Sequence, residues 1–232
     1  MTTGVDEMSI VIKIAIDGPA AAGKSTIAKM TAEKLGYTYI DTGAMYRALA
    51  HKALSQNIDT TNGEELKNLL EKTEIVLVPS TAGQAVIVDG VDVSEDIRSQ
   101  QVTAHVSAVA THHGVRELMV EKQRQLAEGT GVVMDGRDIG TAVLPTAELK
   151  IFMTASVEER ASRRHIENDK RGITTSLDDL KAEISERDRA DSEREVSPLR
   201  QAADAVLIDT TAMSIEEVAN QISELAEKRM HV

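Results

Sequence analysis

Residues Gly18-Pro19-Ala20-Ala21-Ala22-Gly23-Lys24-Ser25 match the pattern G-x-x-x-x-G-K-[ST] in full. The chemistry this spacing serves is the cradling of a polyphosphate. Glycines permit backbone angles that bring amides onto an anion, and the helix that follows directs its positive end at the same charge. Lys24 would reach the β and γ phosphates, Ser25 would ligate Mg²⁺, and Thr26 extends the same nucleotide-binding run. A Gly-rich strand-to-helix turn that binds nothing is the bland alternative. The context argues against it, because a β-branched run precedes the loop and a helical pattern follows it.

The loop alone does not choose between switch GTPases, motor ATPases and small-molecule kinases. The guanine-reading order Asn-Lys-x-Asp is absent, since the nearest string is Asn168-Asp169-Lys170-Arg171. Two further segments carry polar chemistry. Asp41-Thr42-Gly43-Ala44-Met45-Tyr46-Arg47 opens a helical stretch, and Val132-Val133-Met134 is a buried-strand run ending in Asp135-Gly136-Arg137-Asp138-Ile139-Gly140-Thr141. A carboxylate at the end of a core strand faces the crevice of the phosphate loop. Asp135 there can orient Mg²⁺ or its water shell, or serve as an ordinary turn cap.

A third set lies between Arg160 and Arg200. Arg160, Arg163 and Arg164 fall at i, i+3 and i+4, and Arg187, Asp191 and Arg194 at i, i+4 and i+7, so each set shares a helical face. Arginines supply planar, always-charged donors to the oxygens of a transferring phosphoryl group. The alternative is a solvated helix whose ion pairs contribute little. The polar stretch from Asn168 to Ser176 between the sets suits a hinged lid that excludes water.

The elements that must position these residues follow from the hydrophobic pattern. Ile10 to Ile16 reads as a strand buried on both faces, as in a parallel sheet. A helix is predicted from about Lys24 to Gly36, a short strand at Tyr37 to Ile40 and a helix over about 44–54. A polar helix (Glu64 to Lys72) precedes three β-like runs at Ile75 to Val78, Ala85 to Val88 and Val91 to Val93, which read as an antiparallel insertion. Helices over about 99–111 and 114–128 lead to strands at Val132 to Met134, Leu149 to Met153 and Ala205 to Ile208. Ser156 with Glu159, and Ser214 with Glu217, match the capping box. Ile215, Val218, Ala219, Ile222 and Leu225 form one packing stripe. Strands alternating with helices imply an α/β fold on a parallel sheet.

Composition sets the outer limits. A chain of 232 residues, 41% hydrophobic, fits one α/β domain with an insertion. The formal charge of −12 argues against nucleic-acid binding as the main business. With no cysteine, disulfides and thiolate metal sites are excluded. No apolar run approaches the ~20 residues of a membrane span, and Met1 to Ser9 does not read as a signal peptide. The expectation is a cytoplasmic protein with no membrane or nucleic-acid partner. Three tyrosines, one phenylalanine and no tryptophan suggest base recognition by hydrogen bonds, aliphatic walls and arginine planes rather than by aromatic rings.

The segments at Asp41–Arg47 and Asp135–Thr141 strongly resemble the bacterial cytidylate kinase family, from about Val11 to the C-terminal helix and including the β-rich insertion near 75–93. The resemblance implies a P-loop NTPase fold: a five-stranded parallel sheet flanked by helices, a β-rich monophosphate-binding insertion and a helical lid. It implies a single domain over 10–232, with core at about 10–60, 100–157 and 196–232, insertion at about 61–99 and lid at about 158–195. Phosphoryl transfer from Mg-ATP to CMP or dCMP is the implied activity, in a monomer.

By the same resemblance, Arg47, Arg137 and Arg194 hold the acceptor phosphate, with Thr42, where relatives often have serine, close by. Arg187 and Asp191 reach the ribose. Arg160 lies over the adenine and Arg164 reaches the ATP phosphates. Asp138 with Arg116, helped by Ser107, reads cytosine. That choice has a physical rationale, because a carboxylate accepts from the N4 amino group while an arginine donates to N3 and O2. Uracil would turn O4 toward Asp138, a mismatch of about 1–3 kcal/mol. The rivals are a kinase for UMP, AMP or a small metabolite such as shikimate, a nucleotide-dependent switch, and a nucleic-acid-dependent ATPase.

Overall fold

The computed structural model describes residues 10–80, 83–170 and 172–231; Met1 to Ser9, read above for a leader, lies outside them. In chain order, β1 (Lys13–Asp17) leads into the phosphate loop and α1 (Lys24–Leu35). Then come β2 (Thr38–Asp41), α2 (Thr42–Ser55) and α3 (Gly63–Glu71). Three short strands follow, β3 (Ile75–Ser80), β4 (Gly83–Val88) and β5 (Val91–Asp92). Helices α4 (Gln100–Val109) and α5 (His113–Leu126) lead to β6 (Val132–Gly136), and a π-helical turn (Ile139–Val143) separates that strand from β7 (Leu149–Thr154). Two helices, α6 (Val157–Lys170) and α7 (Leu177–Glu193), precede β8 (Val206–Asp209) and α8 (Ile215–Met230).

β2, β6, β1, β7 and β8 lie side by side in that order, every pairing parallel. The period of two along β1 divides the core. Ile12, Ile14 and Ile16 face α1 and α8, while Ala15 faces Ile40, Met134 and the π-helical turn on the other side. Both faces are therefore covered, as the continuous apolar run demands. The strand starts later than the pattern suggested. Pairing begins at Lys13 opposite Val132, so Ile10 and Val11 have no neighbouring strand and are 54% and 60% exposed.

The small strands form the expected separate antiparallel sheet. Its buried Val86 and Val88, with Val93 and Ile97, pack on Ala44 and Ala48 of α2. Although α3 is polar outside, its Leu66, Leu69 and Leu70 join α2, α4 and α5 in one apolar cluster. Ser214 makes the complete capping box with Glu217. Only half of the box at Ser156 forms: its hydroxyl accepts from the Glu159 amide, but the Glu159 carboxylate pairs with Arg163 and the Ser156 amide donates to Thr211. On α8 the buried stripe is Val218, Ala219, Ile222 and Ala226, with Ile215 exposed and Leu225 at its margin.

Candidate active site

β1 ends in Asp17, and the chain turns at Gly18 with φ 151°. A Cβ there would lie 2.1 Å from the carbonyl oxygen of Met153 in β7, so only glycine fits. Ala21 and Gly23 also take positive φ, at 58° and 86°. α1 then opens at Lys24 without a side-chain cap, which leaves its first amides free for an anion. Lys24 is buried and donates to the Pro19 carbonyl at 2.7 Å. Burial, and then the nearby Arg137, lowers its pKa to about 7, against the opposing pull of Asp135 and Asp17.

Asp135 sits within β6, paired in register with Ile16 and Asp41. One carboxylate oxygen accepts from the Ser25 hydroxyl and the other from Tyr39, both at 2.9 Å. Burial, with Asp41 close by, raises its pKa to about 6, although Lys24, Ser25 and Tyr39 favour the charged form. Thr42 donates to the Asp135 carbonyl at 2.7 Å, so its hydroxyl proton is committed to the backbone while the residue lines the cavity described next.

A cavity of about 550 Å³ runs from the phosphate loop to the helices opposite. Lys24, Ser25, Thr26 and Asp135 line it together with Ala20 to Gly23. Arg47 lines another part of the wall and is held by Asp41 at 2.9 Å, which also caps α2 through the Ala44 amide. Arg137 donates to Asp191 at 2.8 Å, and Arg194 lies 3.6 Å from the other oxygen of Asp191. Burial alone would raise Asp191, yet Arg137, Arg187 and Arg194 hold it below the usual carboxylate range. Arg187 is lowered to about 10 by burial and by Arg137. Arg47, Arg137, Arg187 and Arg194 all line the cavity. Such a wall of guanidinium groups suits phosphate oxygens.

Farther along the cavity, Arg116 and Asp138 form an ion pair, 2% and 5% exposed as residues. Arg116 also donates to the Ala110 carbonyl at 3.1 Å, and Ser107 lines the same region. One aromatic ring also borders this region. Tyr46 lines the cavity, with the Arg116 guanidinium 5.6 Å from its ring centroid. Scarcity in the composition said nothing about where the few rings go.

The first arginine set does not act as one face. Arg160 is 4% exposed and does not line the cavity. Its donors go to the Ala155 and Ala20 carbonyls and to Asp188, so it ties the loop to α6 and α7 instead of lying open toward an adenine. Arg163, to which no site role was given, grips the loop from behind through the Ala22 carbonyl at 3.4 Å and Thr210 at 2.7 and 3.1 Å. Arg164 does line the cavity. Gly18 and Pro19 shape the loop from outside it. Sequence reasoning also missed Tyr39, Gln84 and Asp17. Gln84 of β4 bonds both the Tyr39 carbonyl and the Asp41 amide, and no local motif marks such a contact.

The loop between a central parallel strand and its helix, opening on an arginine-lined cavity, defines a P-loop kinase. Residues 14–228 match the family model described as cytidylate kinase, and the chain belongs to that family. It is 61% identical over 219 residues to the cytidylate kinase of Geobacillus kaustophilus (strain HTA426), covering 94% of this chain and 98% of the relative. It is 58% identical over 218 residues to the cytidylate kinase of Bacillus subtilis (strain 168), covering 94% and 97%. Among solved structures, an uncharacterized protein from Eubacterium ventriosum ATCC 27560 aligns with a TM-score of 0.50 at 12% identity, covering 94% and 99%, a likeness of fold alone.

Proposed function

We propose that the protein transfers the γ-phosphoryl group of ATP to CMP or dCMP, giving CDP or dCDP and ADP. The observation that carries this reading is one cavity holding both the Lys24 loop and the buried Arg116–Asp138 pair. The pair offers an acceptor to the N4 amino group and donors to N3 and O2, the pattern of cytosine. Its setting is an arginine wall suited to the phosphate of the same molecule.

In-line transfer then needs little covalent chemistry from the protein. Arg47, Arg137 and Arg194 hold the acceptor phosphate in attack position. Arg187 and Asp191 hold the ribose, and Lys24 and Arg164 neutralise charge on the transferred group. No general base is required, because a phosphate monoester is already largely ionised at neutral pH. Catalysis is positioning and preorganised charge.

Among the described residues no cluster of three or more acidic, His or Cys side chains could hold a metal by itself. The Ser25 hydroxyl bonded to buried Asp135 fits an ion that arrives with polyphosphate and keeps most of its water. Mg²⁺ would be held there by Ser25 and, through water, by Asp135, and would supply charge neutralisation. We assign the segment from α3 through β5 (about 61–99) as the acceptor-binding insertion, since Gly83 and Gln84 reach the cavity. The α6–α7 segment (about 158–195) is assigned as the lid, since it brings Arg164, Arg187 and Asp191. No helix of the described residues is long and apolar enough to cross a membrane; the proposed substrates make the cytoplasm the working compartment.

The test is ADP production from Mg-ATP with CMP, dCMP, UMP, AMP and GMP in parallel, against a no-acceptor control. Turnover strongest with CMP or dCMP is expected. Preference for another monophosphate would retain the kinase and reject the base assignment, and acceptor-independent turnover would reject both.

A further inference from the structure

The turn that carries Asp138 is capped from outside itself. Asp138 stands at the N-terminal flank of the π-helical turn, with φ −141° and ψ 25°, and its side chain makes no bond to that turn. Aspartate at such a position ordinarily accepts from the first free amides of its own turn. Here its carboxylate goes to Arg116 instead. The amides of Ile139 and Gly140 donate to the two carboxylate oxygens of Asp17, each at 2.7 Å.

Asp17 is well placed to hold them rigidly. It is 4% exposed, and its backbone is paired on both sides, with Gly136 and Phe152. Gly18 beside it is pinned under the Met153 carbonyl. On the receiving side, a Cβ at Gly140 would meet Lys150 at 3.2 Å and Asp17 at 3.4 Å, so the turn has little room to shift.

We infer that Asp17 is a positioning residue for base recognition: by capping the turn in place of Asp138, it leaves the Asp138 carboxylate on Arg116, facing the acceptor base. This rests on the reading of Asp138 as the group that accepts from cytosine. The last residue of the strand that launches the phosphate loop therefore also sets the acceptor's specificity. A carboxylate is needed because both oxygens accept. An asparagine in its place would turn an N–H toward one of the amides and free that amide to recruit Asp138 as its cap.

The experiment compares kcat/KM for CMP and UMP, and KM for Mg-ATP, in the wild type, Asp17→Asn, Asp138→Asn and the double variant. Asp17→Asn is expected to narrow the CMP-to-UMP ratio at least about fivefold, the worth of one hydrogen bond; because Asp17 also helps keep Lys24 charged, KM for Mg-ATP rises as well, by a factor common to both acceptors that cancels in the ratio. In the Asp138→Asn background it should narrow the ratio no further, since it acts through that residue. Asp17→Ser, which keeps an acceptor and adds no opposing amide, carries the same expectation if the asparagine variant does not fold. An unchanged ratio in Asp17→Asn, beside a narrowed one in Asp138→Asn, overturns the inference alone. So does additive narrowing in the double variant, or an effect on Mg-ATP instead of on the ratio. An unchanged ratio in Asp138→Asn itself overturns the base reading and the inference with it.

Discussion

The Ser25 hydroxyl donates to the Asp135 carboxylate at 2.9 Å, across 110 residues of chain. The bond joins the first turn of α1 to the strand next to β1, and Tyr39 occupies the other carboxylate oxygen. Buried beside them is Lys24, so the loop's lysine and the strand's carboxylate depend on one another for their charge. Each is shifted toward its neutral form, Asp135 upward to about 6 and Lys24 downward to about 7.

A pH dependence follows with a definite sign. Asp135 is ionised above its raised pKa and Lys24 is charged below its lowered one, so both are charged only in a window near pH 6–7. kcat/KM for Mg-ATP, which reports the free enzyme, should fall on both sides of that window. kcat should fall less on the alkaline side, because bound polyphosphate favours charged Lys24. A flat kcat/KM profile from about pH 5.5 to 9 would show that neither group controls nucleotide capture.

Gly18→Ala introduces a Cβ 2.1 Å from a backbone oxygen, at φ 151°. Neither strand can yield, since β1 and β7 are paired at that point. The expected result is a stability loss above about 2 kcal/mol in denaturant unfolding, together with loss of ATP binding. Near-wild-type stability would mean that the turn at Gly18 is looser than its contact with Met153.

Arg163 touches the back of the loop rather than the cavity. Arg163→Met removes its bonds to the Ala22 carbonyl and to Thr210. It should lower stability by about 1–3 kcal/mol and raise KM for Mg-ATP more than KM for CMP. An equal rise in both would place its action elsewhere than the loop.

The Tyr46 hydroxyl is buried without a partner, and burial pushes its pKa up to about 12 although Arg116 opposes the shift. Removing an unsatisfied polar group should be neutral or favourable. Tyr46→Phe is therefore expected to keep or raise the melting temperature of the nucleotide-free protein. A clear fall would reveal a partner for the hydroxyl.

What could be read from the chain was what is local. The phosphate loop, the strand ending in Asp135 and the hairpins of the small sheet all announce themselves within ten residues, through spacing, β-branching and turn residues. The helical face of Arg160, Arg163 and Arg164 was equally local, and there it misled. Periodicity shows that three side chains are neighbours on a helix, but not that one will be buried under the loop, one will grip its back and one will face the cavity. Asp17 illustrates the other limit: its partners Ile139 and Gly140 lie 122 and 123 residues away. Only the insertion of β6 beside β1 brings them together. The placement of Tyr46 against Arg116 depends in the same way on how α2 packs on α4 and α5.

The most direct test concerns the buried pair that chooses the acceptor. The measurement is the ratio of kcat/KM for CMP to that for UMP, at saturating Mg-ATP, in the wild type and in Asp138→Asn. Asparagine keeps one acceptor oxygen but loses the charge that favours N4, and it can turn its amide N–H toward the uracil O4, which relieves the conflict there. The wild type should strongly favour CMP, and the variant's ratio should be lower by about 5- to 150-fold, the equivalent of 1–3 kcal/mol. An unchanged ratio would contradict the assignment of Asp138 and Arg116 as the groups that read the base.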